Sequence, residues 1–598
     1  MAPSPPAQRL SQVASHLSSS PGSASPHGAV QVPPSHSLRF RPALPAGLPV
    51  HWTPLNPISF LLKAASIRPD HPAIVHPARG VAWTYREWAL RVKDLAYAFR
   101  ARGLVPGDRV LTLLPNVPAH CDALQAVAAA KMIIVTVNTR LSPSDVEYII
   151  DNSGSRLLLV DHELVKLLPT DLEQKGVQVV VCRDTGASDD EYEQLLTEGR
   201  EYDRKHGAKE WSGLEFQADE NATFAISYTS GTTSRPKGVE TTYRSTYLAA
   251  VANAHESRLD DQTRFLWTLP MFHCCGWTYP YATVLAMCTS VCLRAVGDYT
   301  DVWKGLLEPN QGITHYCAAP TVQLSIVSHP MARKLDRPVR TVIAGAAPSA
   351  TLIKSLEDLG ITCVHVWGMT ETLGPLTRTY YVGEKTSPDY YRNMARQGFA
   401  FVTSDDIRVV KLAPEGEEVD PDAPLVEVAA DGREVGEIVC RGNITMRGYY
   451  RNPEATRAAF AGGYLHTGDL AVRYPDGTFA ITDRQKDLII SGGENISSLA
   501  VEGTLAAHPE IHEVAVVARK HPKWGERPHA FVVLKPAFAQ KWANRVAHFE
   551  QELKAFAKGK MPGFAIPEWV SVEKDLPKTA TGKVQKKELR DLVKKLDE

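Results

Sequence analysis

No apolar run in this 598-residue chain reaches the roughly 18 residues that a membrane-spanning helix requires, so no transmembrane segment is expected. An excess of either charge is also missing: Lys and Arg total 66 against 67 Asp and Glu, leaving a net charge of −1. That balance removes the electrostatic ground for a nucleic acid or an anionic membrane surface as partner. Cysteine pairs of the CxxC kind are absent. The nine cysteines are scattered between Cys121 and Cys440, and only Cys274 and Cys275 adjoin, which does not suit one tetrahedral metal. Reduced, buried thiols of an intracellular enzyme are expected instead. No internal repeat is found.

Acidic residues are lacking altogether before Asp70, while Arg9, Arg39 and Arg41 supply positive charge. The first 45 residues carry Ser- and Pro-rich clusters such as Ser18-Ser19-Ser20-Pro21, with Leu10, Val13 and Leu17 at helical spacing. A mitochondrial presequence has this composition, and so does a plain disordered tail; in the first case the protein is mitochondrial, otherwise cytoplasmic. The long apolar core of a secretory signal is missing, and Leu596-Asp597-Glu598 is not a Ser-Lys-Leu type of address.

What is present is a chain too long for one hydrophobic core. Short, often β-branched apolar runs at 109–114, 131–137, 157–160, 177–182, 223–228 and 340–345 alternate with amphipathic stretches such as 86–101 and 351–358. This alternation predicts α/β layers around largely buried sheets. Near residue 486 the pattern changes to a small α+β unit, with strand-like Val514–Ala518 and Ala530–Leu534 and a helical stretch at 547–558. The expected organisation is a leader at 1–45, a large α/β domain of layered subdomains at 46–485, and a small mobile α+β lid at 486–598.

A loop at 228–238 carries the first chemical signal: Tyr228-Thr229-Ser230-Gly231-Thr232-Thr233-Ser234-Arg235-Pro236-Lys237-Gly238, directly after an apolar strand candidate. Glycines let backbone N–H groups approach phosphate oxygens, hydroxyls add neutral donors, and Lys237 adds charge. The GxxxxGK[ST] spacing of a Walker loop is absent. Four further segments follow in order: Gly345-Ala346-Ala347-Pro348, Val366-Trp367-Gly368-Met369-Thr370-Glu371, Thr467-Gly468-Asp469 with Asp483-Arg484-Gln485-Lys486, and Pro577-Lys578-Thr579-Ala580-Thr581-Gly582-Lys583. A carboxylate beside a hydroxyl, as in Thr370-Glu371, suits a hard cation, and one carboxylate such as Asp469 can accept from two vicinal hydroxyls.

Together these segments resemble the motifs of the adenylate-forming superfamily, which includes acyl-CoA synthetases, peptide-synthetase adenylation domains and firefly luciferase. The resemblance spans roughly residues 50–598. It implies ATP, Mg²⁺ and coenzyme A as cofactors, a small carboxylic acid as substrate, and two steps: acyl-AMP, then a thioester. By it, Thr229, Ser230, Gly231, Thr232, Thr233 and Lys237 hold the phosphates; Gly345, Ala346, Ala347, Val366, Trp367 and Gly368 surround adenine; and Thr370 meets the α-phosphate. Glu371 holds the metal, Asp469 takes the ribose, and Arg484 contacts ribose or phosphate. Lys486 is the hinge, Lys583 bridges carboxylate and phosphate, and Gly492 and Gly493 admit coenzyme A. Two positions depart from the pattern: Ser234 replaces a usual glycine, and Tyr243 replaces a usual histidine.

Leu269-Pro270-Met271-Phe272-His273-Cys274-Cys275-Gly276-Trp277 and Ala395-Arg396-Gln397-Gly398 resemble synthetases for short- and medium-chain fatty acids. His273 is then a catalytic candidate between acyl pocket and pantetheine path. His273, Gly276, Trp277, Thr314, Ala318, Gly345, Ala346, Leu373, Gly374 and Pro375 become the candidate acyl wall. Loading of a carrier protein in trans and luciferase-like oxidation remain open alternatives. The basic residues Lys586, Lys587 and Arg590 read as a solvated helix face.

Overall fold

Residues 40–229, 235–308, 311–380, 383–412, 424–492, 494–579 and 582–597 are described by the structure, a computed structural model. The expectations placed on the leader before residue 40, on Ser230, Gly231, Thr232, Thr233 and Ser234, on Gly493, and on Ala580 and Thr581 lie outside the described residues.

The β-branched runs form strands. Arg109–Leu113, Ile133–Thr136, Leu157–Asp161, Gln178–Cys182 and Thr223–Tyr228 pair in parallel within a seven-stranded sheet. The antiparallel strand Gly238–Thr242 and then Gly448–Tyr449 close one edge of it. A nine-stranded sheet has a parallel centre of Pro72–His76, Thr289–Cys292, Arg264–Trp267, His315–Ala318, Val339–Ile343 and Ile361–Met369, with antiparallel strands at both edges. Both sheets are apolar on their two faces because helices cover them, as parallel crossovers require. A four-stranded antiparallel sheet, Ile407–Val410, Val435–Cys440, Leu465–Arg473 and Phe479–Arg484, completes the large part.

Local signals set the helix starts. Thr84 and Glu87 form a capping box at the start of Tyr85–Ala101, satisfying two backbone donors reciprocally. This helix packs on Glu191–Lys205 so closely that a Cβ on Gly199 would lie 1.8 Å from the Asp94 carbonyl. Cys121, Cys182, Cys274, Cys275, Cys288, Cys292, Cys317, Cys363 and Cys440 are all buried and free. Among the described residues no helix is long and apolar enough to cross a membrane.

Beyond Arg484 the chain builds a smaller α+β unit. Ile511–His521 and Gly525–Leu534 form its central antiparallel pair, and Val546–Ala557 covers one face. Among the described residues its core, including Val516, Val532, Phe549 and Leu553, draws only on this unit. One expectation is corrected here. Only Lys587 is exposed as a solvated face requires; Lys586 bonds the Ser498 hydroxyl (2.6 Å) and Glu502 (2.7 Å), and Arg590 pairs with Asp487. Glu502 and Asp487 are partly buried opposite these cations, so the final helix is tied to the Gln485–Asp487 turn.

Gly199→Ala is expected to cost about 1–3 kcal/mol, because overpacking against a fixed backbone cannot relax cheaply. A lowered thermal midpoint in scanning calorimetry is the expected result, and an unchanged midpoint would contradict the packing described.

Candidate active site

The cleft is assembled at the C-terminal ends of the parallel strands. Strand Thr223–Tyr228 delivers Thr229, whose N–H donates to the Lys237 carbonyl (3.0 Å), closing the hairpin that carries the phosphate loop. Lys237 Nζ sits 4.8 Å from the centre of the Tyr449 ring. Tyr449 comes from the edge strand paired to Gly238–Thr242, and its hydroxyl donates to Glu371 Oε1 at 2.9 Å. Burial raises the Glu371 carboxyl above its ordinary range, offset by the Tyr449 hydroxyl and by the charges of Arg484 and Lys237. A buried, incompletely compensated carboxylate next to a hydroxyl fits Mg²⁺, which takes one or two carboxylates and draws its other ligands from phosphate and water. Among the described residues no cluster of three metal-binding side chains exists that would form a full protein cage.

Strand Ile361–Met369 carries Val366, Trp367 and Gly368. Gly368 permits its pairing with the returning strand: an added Cβ would meet the Gly374 carbonyl at 1.8 Å. Trp367 is buried, and its Nε1–H donates to Asp469 Oδ2 at 2.8 Å. Arg484 Nε lies 3.0 Å from the other oxygen, Asp469 Oδ1, across a direct strand pair. Both oxygens of Asp469 thus have one protein donor and keep one lone pair each for a ligand. The segment Gly345-Ala346-Ala347 is exposed, with Gly345 at φ +88°; among the described residues only Ala319 Cβ, at 3.9 Å, would be near an added Cβ there.

The segment after His273 is unusual. Cys274, Cys275, Gly276, Trp277 and Thr278 have φ of 49°, 50°, 62°, 52° and 62°, one turn of left-handed helix. Each non-glycine residue in that region costs about 1–2 kcal/mol. Asn253, buried on a neighbouring helix, holds the turn by donating from Nδ2 to the Trp277 carbonyl and to Thr278 Oγ1, both at 2.9 Å. The turn presents Cys274 Sγ to Thr370 Oγ1 at 3.2 Å, with burial pushing that thiol up to about 12. Trp277 packs beneath Gly374, where a Cβ would meet it at 2.9 Å, and Leu373 and Ala318 are buried nearby in sequence to Thr370 and Ala319. A Cβ on Gly276 would instead touch Trp267 and Pro280, both at 3.1 Å, so this glycine serves packing. Thr314 is corrected as an acyl-wall residue: it binds the Arg264 N–H at the opposite end of strand His315–Ala318, roughly 13 Å along the strand from Ala318. Gln397 accepts the Ile481 N–H at 2.6 Å and joins two sheets rather than lining the cleft.

Lys583 reaches the cleft from the small unit. The carbonyl of the preceding Gly582 accepts from Thr321 Oγ1 at 2.7 Å, on the helix Pro320–Val327 of the large part. The Lys583 ammonium is lowered to about 7, first by burial and then by the charges of Arg484 and Lys486, against the opposing pull of Asp469 and Asp487. Its charge in turn reinforces the burial that holds His273 down at about 4, so the imidazole is neutral at physiological pH. Lys486 lies in the turn Gln485–Asp487, and burial together with Arg484 lowers it too. Gly492 lies elsewhere, exposed beside Trp524 on the small unit's surface. Tyr449, Asn253 and Thr321 carry much of this arrangement and have no local motif; only the tertiary pairing reveals them. Tyr243, at a departing position, is buried away from the cleft.

These elements define an α/β enzyme that brings together Thr229 and Lys237, the carboxylates of Glu371 and Asp469, and a lysine delivered by a small second unit. The chain belongs to the AMP-binding enzyme family: residues 61–450 match the model of the AMP-binding enzyme, and residues 500–583 that of the AMP-binding enzyme C-terminal domain. An acetate–CoA ligase of Humulus lupulus is 37% identical over 580 residues, covering 91% of this chain and 96% of that protein. A peroxisomal acetate/butyrate–CoA ligase of Arabidopsis thaliana is 36% identical, covering 92% and 96%. The structure of o-succinylbenzoate CoA synthetase from Bacillus subtilis with its acyl-adenylate intermediate superposes with a TM-score of 0.72 at 26% identity, covering 90% of this chain and 98% of that one.

The lowered Lys583 has a direct consequence. Below pH 7 it is protonated and unreactive; above that it is a neutral amine, whereas ordinary lysines stay protonated to about 10.4. Competitive amine labelling read by mass spectrometry is expected to titrate Lys583 near pH 7 in the ligand-free protein and higher with ATP present. Titration near 10.4 without ligand would contradict the burial.

Proposed function

We infer that this AMP-forming acid–thiol ligase activates a short- or medium-chain carboxylic acid with MgATP and transfers the acyl group to coenzyme A. The observation that carries this reading is the Lys583 ammonium, buried within electrostatic reach of Asp469, Arg484 and His273. In the first step an oxygen of the acid's carboxylate attacks the α-phosphorus, and the bond to the pyrophosphate oxygen breaks with its electron pair. Two anions must approach, and a buried cation between them lowers that barrier. Thr229 and Lys237, with the loop residues that follow Thr229, hold the leaving phosphates. Thr370 positions the α-phosphate, and Asp469 accepts the ribose hydroxyls through its remaining lone pairs. Magnesium, when bound, neutralises phosphate charge, and Glu371 would hold it.

In the second step the thiol of coenzyme A gives up its proton to water, and its sulfur bonds to the acyl carbon. The bond from that carbon to the phosphate oxygen breaks with its electron pair, so that AMP leaves. Here the small unit, bounded at Lys486, turns and withdraws Lys583, while Gly492 comes to line the thiol's path. Trp277, Ala318 and Leu373 give the acyl wall no charge, which supports an unsubstituted acid over an amino acid. The Humulus and Arabidopsis relatives, named for acetate and butyrate, support small chains. For location, the acid-poor leader supports a mitochondrion, whereas the Arabidopsis relative is named peroxisomal; cell fractionation decides.

Pyrophosphate release is to be measured with MgATP and straight-chain acids from acetate to palmitate plus benzoate, with and without coenzyme A. Turnover stimulated by coenzyme A and confined to short and medium acids is the expected result. Pyrophosphate without any acyl-CoA product would instead favour a carrier-protein acceptor or oxidation of the adenylate.

A further inference from the structure

The strands that end in the catalytic cleft begin at a second cavity. Val339–Ile343 and Ile361–Met369 lead to Gly345 and Thr370 at their C-terminal ends; at their N-terminal ends Arg340 and Ile361–Cys363 line a space of about 620 Å³. A nine-residue strand separates the two places by roughly 25 Å. The volume falls in the range of small-molecule sites. Arg258, Arg340, Arg378 and Lys385 converge on it, with Tyr380 and Tyr390 as aromatic walls.

The charge there does not balance. Arg378 pairs with Glu256 at 3.3 Å, and Lys385 with Glu357 at 2.9 Å. Among the described residues, Arg258 and Arg340 have no carboxylate within ion-pair distance, and Arg378 Nε is buried without a hydrogen-bond partner. Burial and the like charges of Arg258 and Arg378 all push the Arg340 guanidinium down. Arg258 is also placed at a backbone cost. It caps the helix Tyr243–Ser257 in the left-handed region, at φ 56°, a position that glycine fills without strain. Repulsion and strain both persist in a protein only where something else compensates them.

We propose that this cavity is a second ligand site and takes a small anion bearing phosphate groups. Guanidinium forks match phosphate oxygens two at a time, and two uncompensated arginines call for more charge than one carboxylate carries. The tyrosines leave room for an organic portion, so the phosphate is either free or borne on a small molecule. The inference is independent of which acid the catalytic cleft accepts.

The full chain, its nucleotide site first filled with a non-hydrolysable acyl-sulfamoyl-adenosine, is titrated calorimetrically with inorganic pyrophosphate and separately with 3′,5′-ADP. Saturable binding of at least one probe is expected, weakened about tenfold or more by Arg258→Gln and by Arg340→Gln, as loss of a charged hydrogen-bonding group implies. Affinity for the acyl-sulfamoyl-adenosine stays unchanged, and peptides 254–259 and 357–363 gain protection from hydrogen exchange. Binding of pyrophosphate alone assigns a free inorganic ligand; binding of 3′,5′-ADP assigns a phosphate carried on a small molecule. Binding of neither probe, or equal binding by wild type and variants, overturns the proposal. Arg258 is exposed, so its variant keeps the test decisive even if Arg340→Gln fails to fold.

Discussion

Two negative groups have to meet in this cleft, and the burial of one ammonium is the constraint around which the rest is arranged. A lysine stripped of water loses much of its preference for the proton, so Lys583 in the ligand-free protein stands near neutrality. In the proposed function, arriving phosphate and carboxylate would restore that preference at the point where their own repulsion is greatest. The cost of holding the lysine there is spread over the Gly582–Thr321 contact and the ties from the final helix to Asp487 and Glu502. These ties connect the small unit's own core to the turn that carries Lys486.

The large part supplies rigidity on the other side. Asp469 is held between an indole N–H and a guanidinium from two different strands, so its orientation is set before any ligand arrives. Glu371 is fixed by Tyr449 in the same way. The left-handed turn at 274–278 is strained backbone held by Asn253, and it sets the Cys274 thiol against Thr370 and the Trp277 indole against Gly374. Such strain is tolerated where the surrounding core over-determines the conformation. Here Trp277, Gly374 and Gly368 pack without spare space.

Much of the fold was legible in the chain because β-branched runs and amphipathic stretches alternate cleanly. Strands at Leu157–Asp161 and Thr223–Tyr228 and the helices Tyr85–Ala101 and Val546–Ala557 fall where periodicity put them. The cleft was legible only in part. Residues such as Asp469 and Lys583 stand out because their segments resemble the motifs of the adenylate-forming superfamily, but Tyr449, Asn253 and Thr321 depend on pairings between distant segments. Thr314 misled because residues at the two ends of one strand look alike in sequence, although one end faces the cleft and the other faces Arg340. Lys586 and Arg590 misled in the opposite direction: a basic stretch looks solvated until partly buried acids are found opposite it.

The central claim is that Lys583 serves the first half-reaction and is absent from the second. The most direct test is Lys583→Ala, with the two halves measured separately: adenylate formation from acid and MgATP, and thioester formation from supplied acyl-AMP and coenzyme A. Removing one such electrostatic group is expected to slow the first about a hundredfold or more and leave the second largely intact. An equal loss in both halves would contradict a lysine that enters and leaves the cleft.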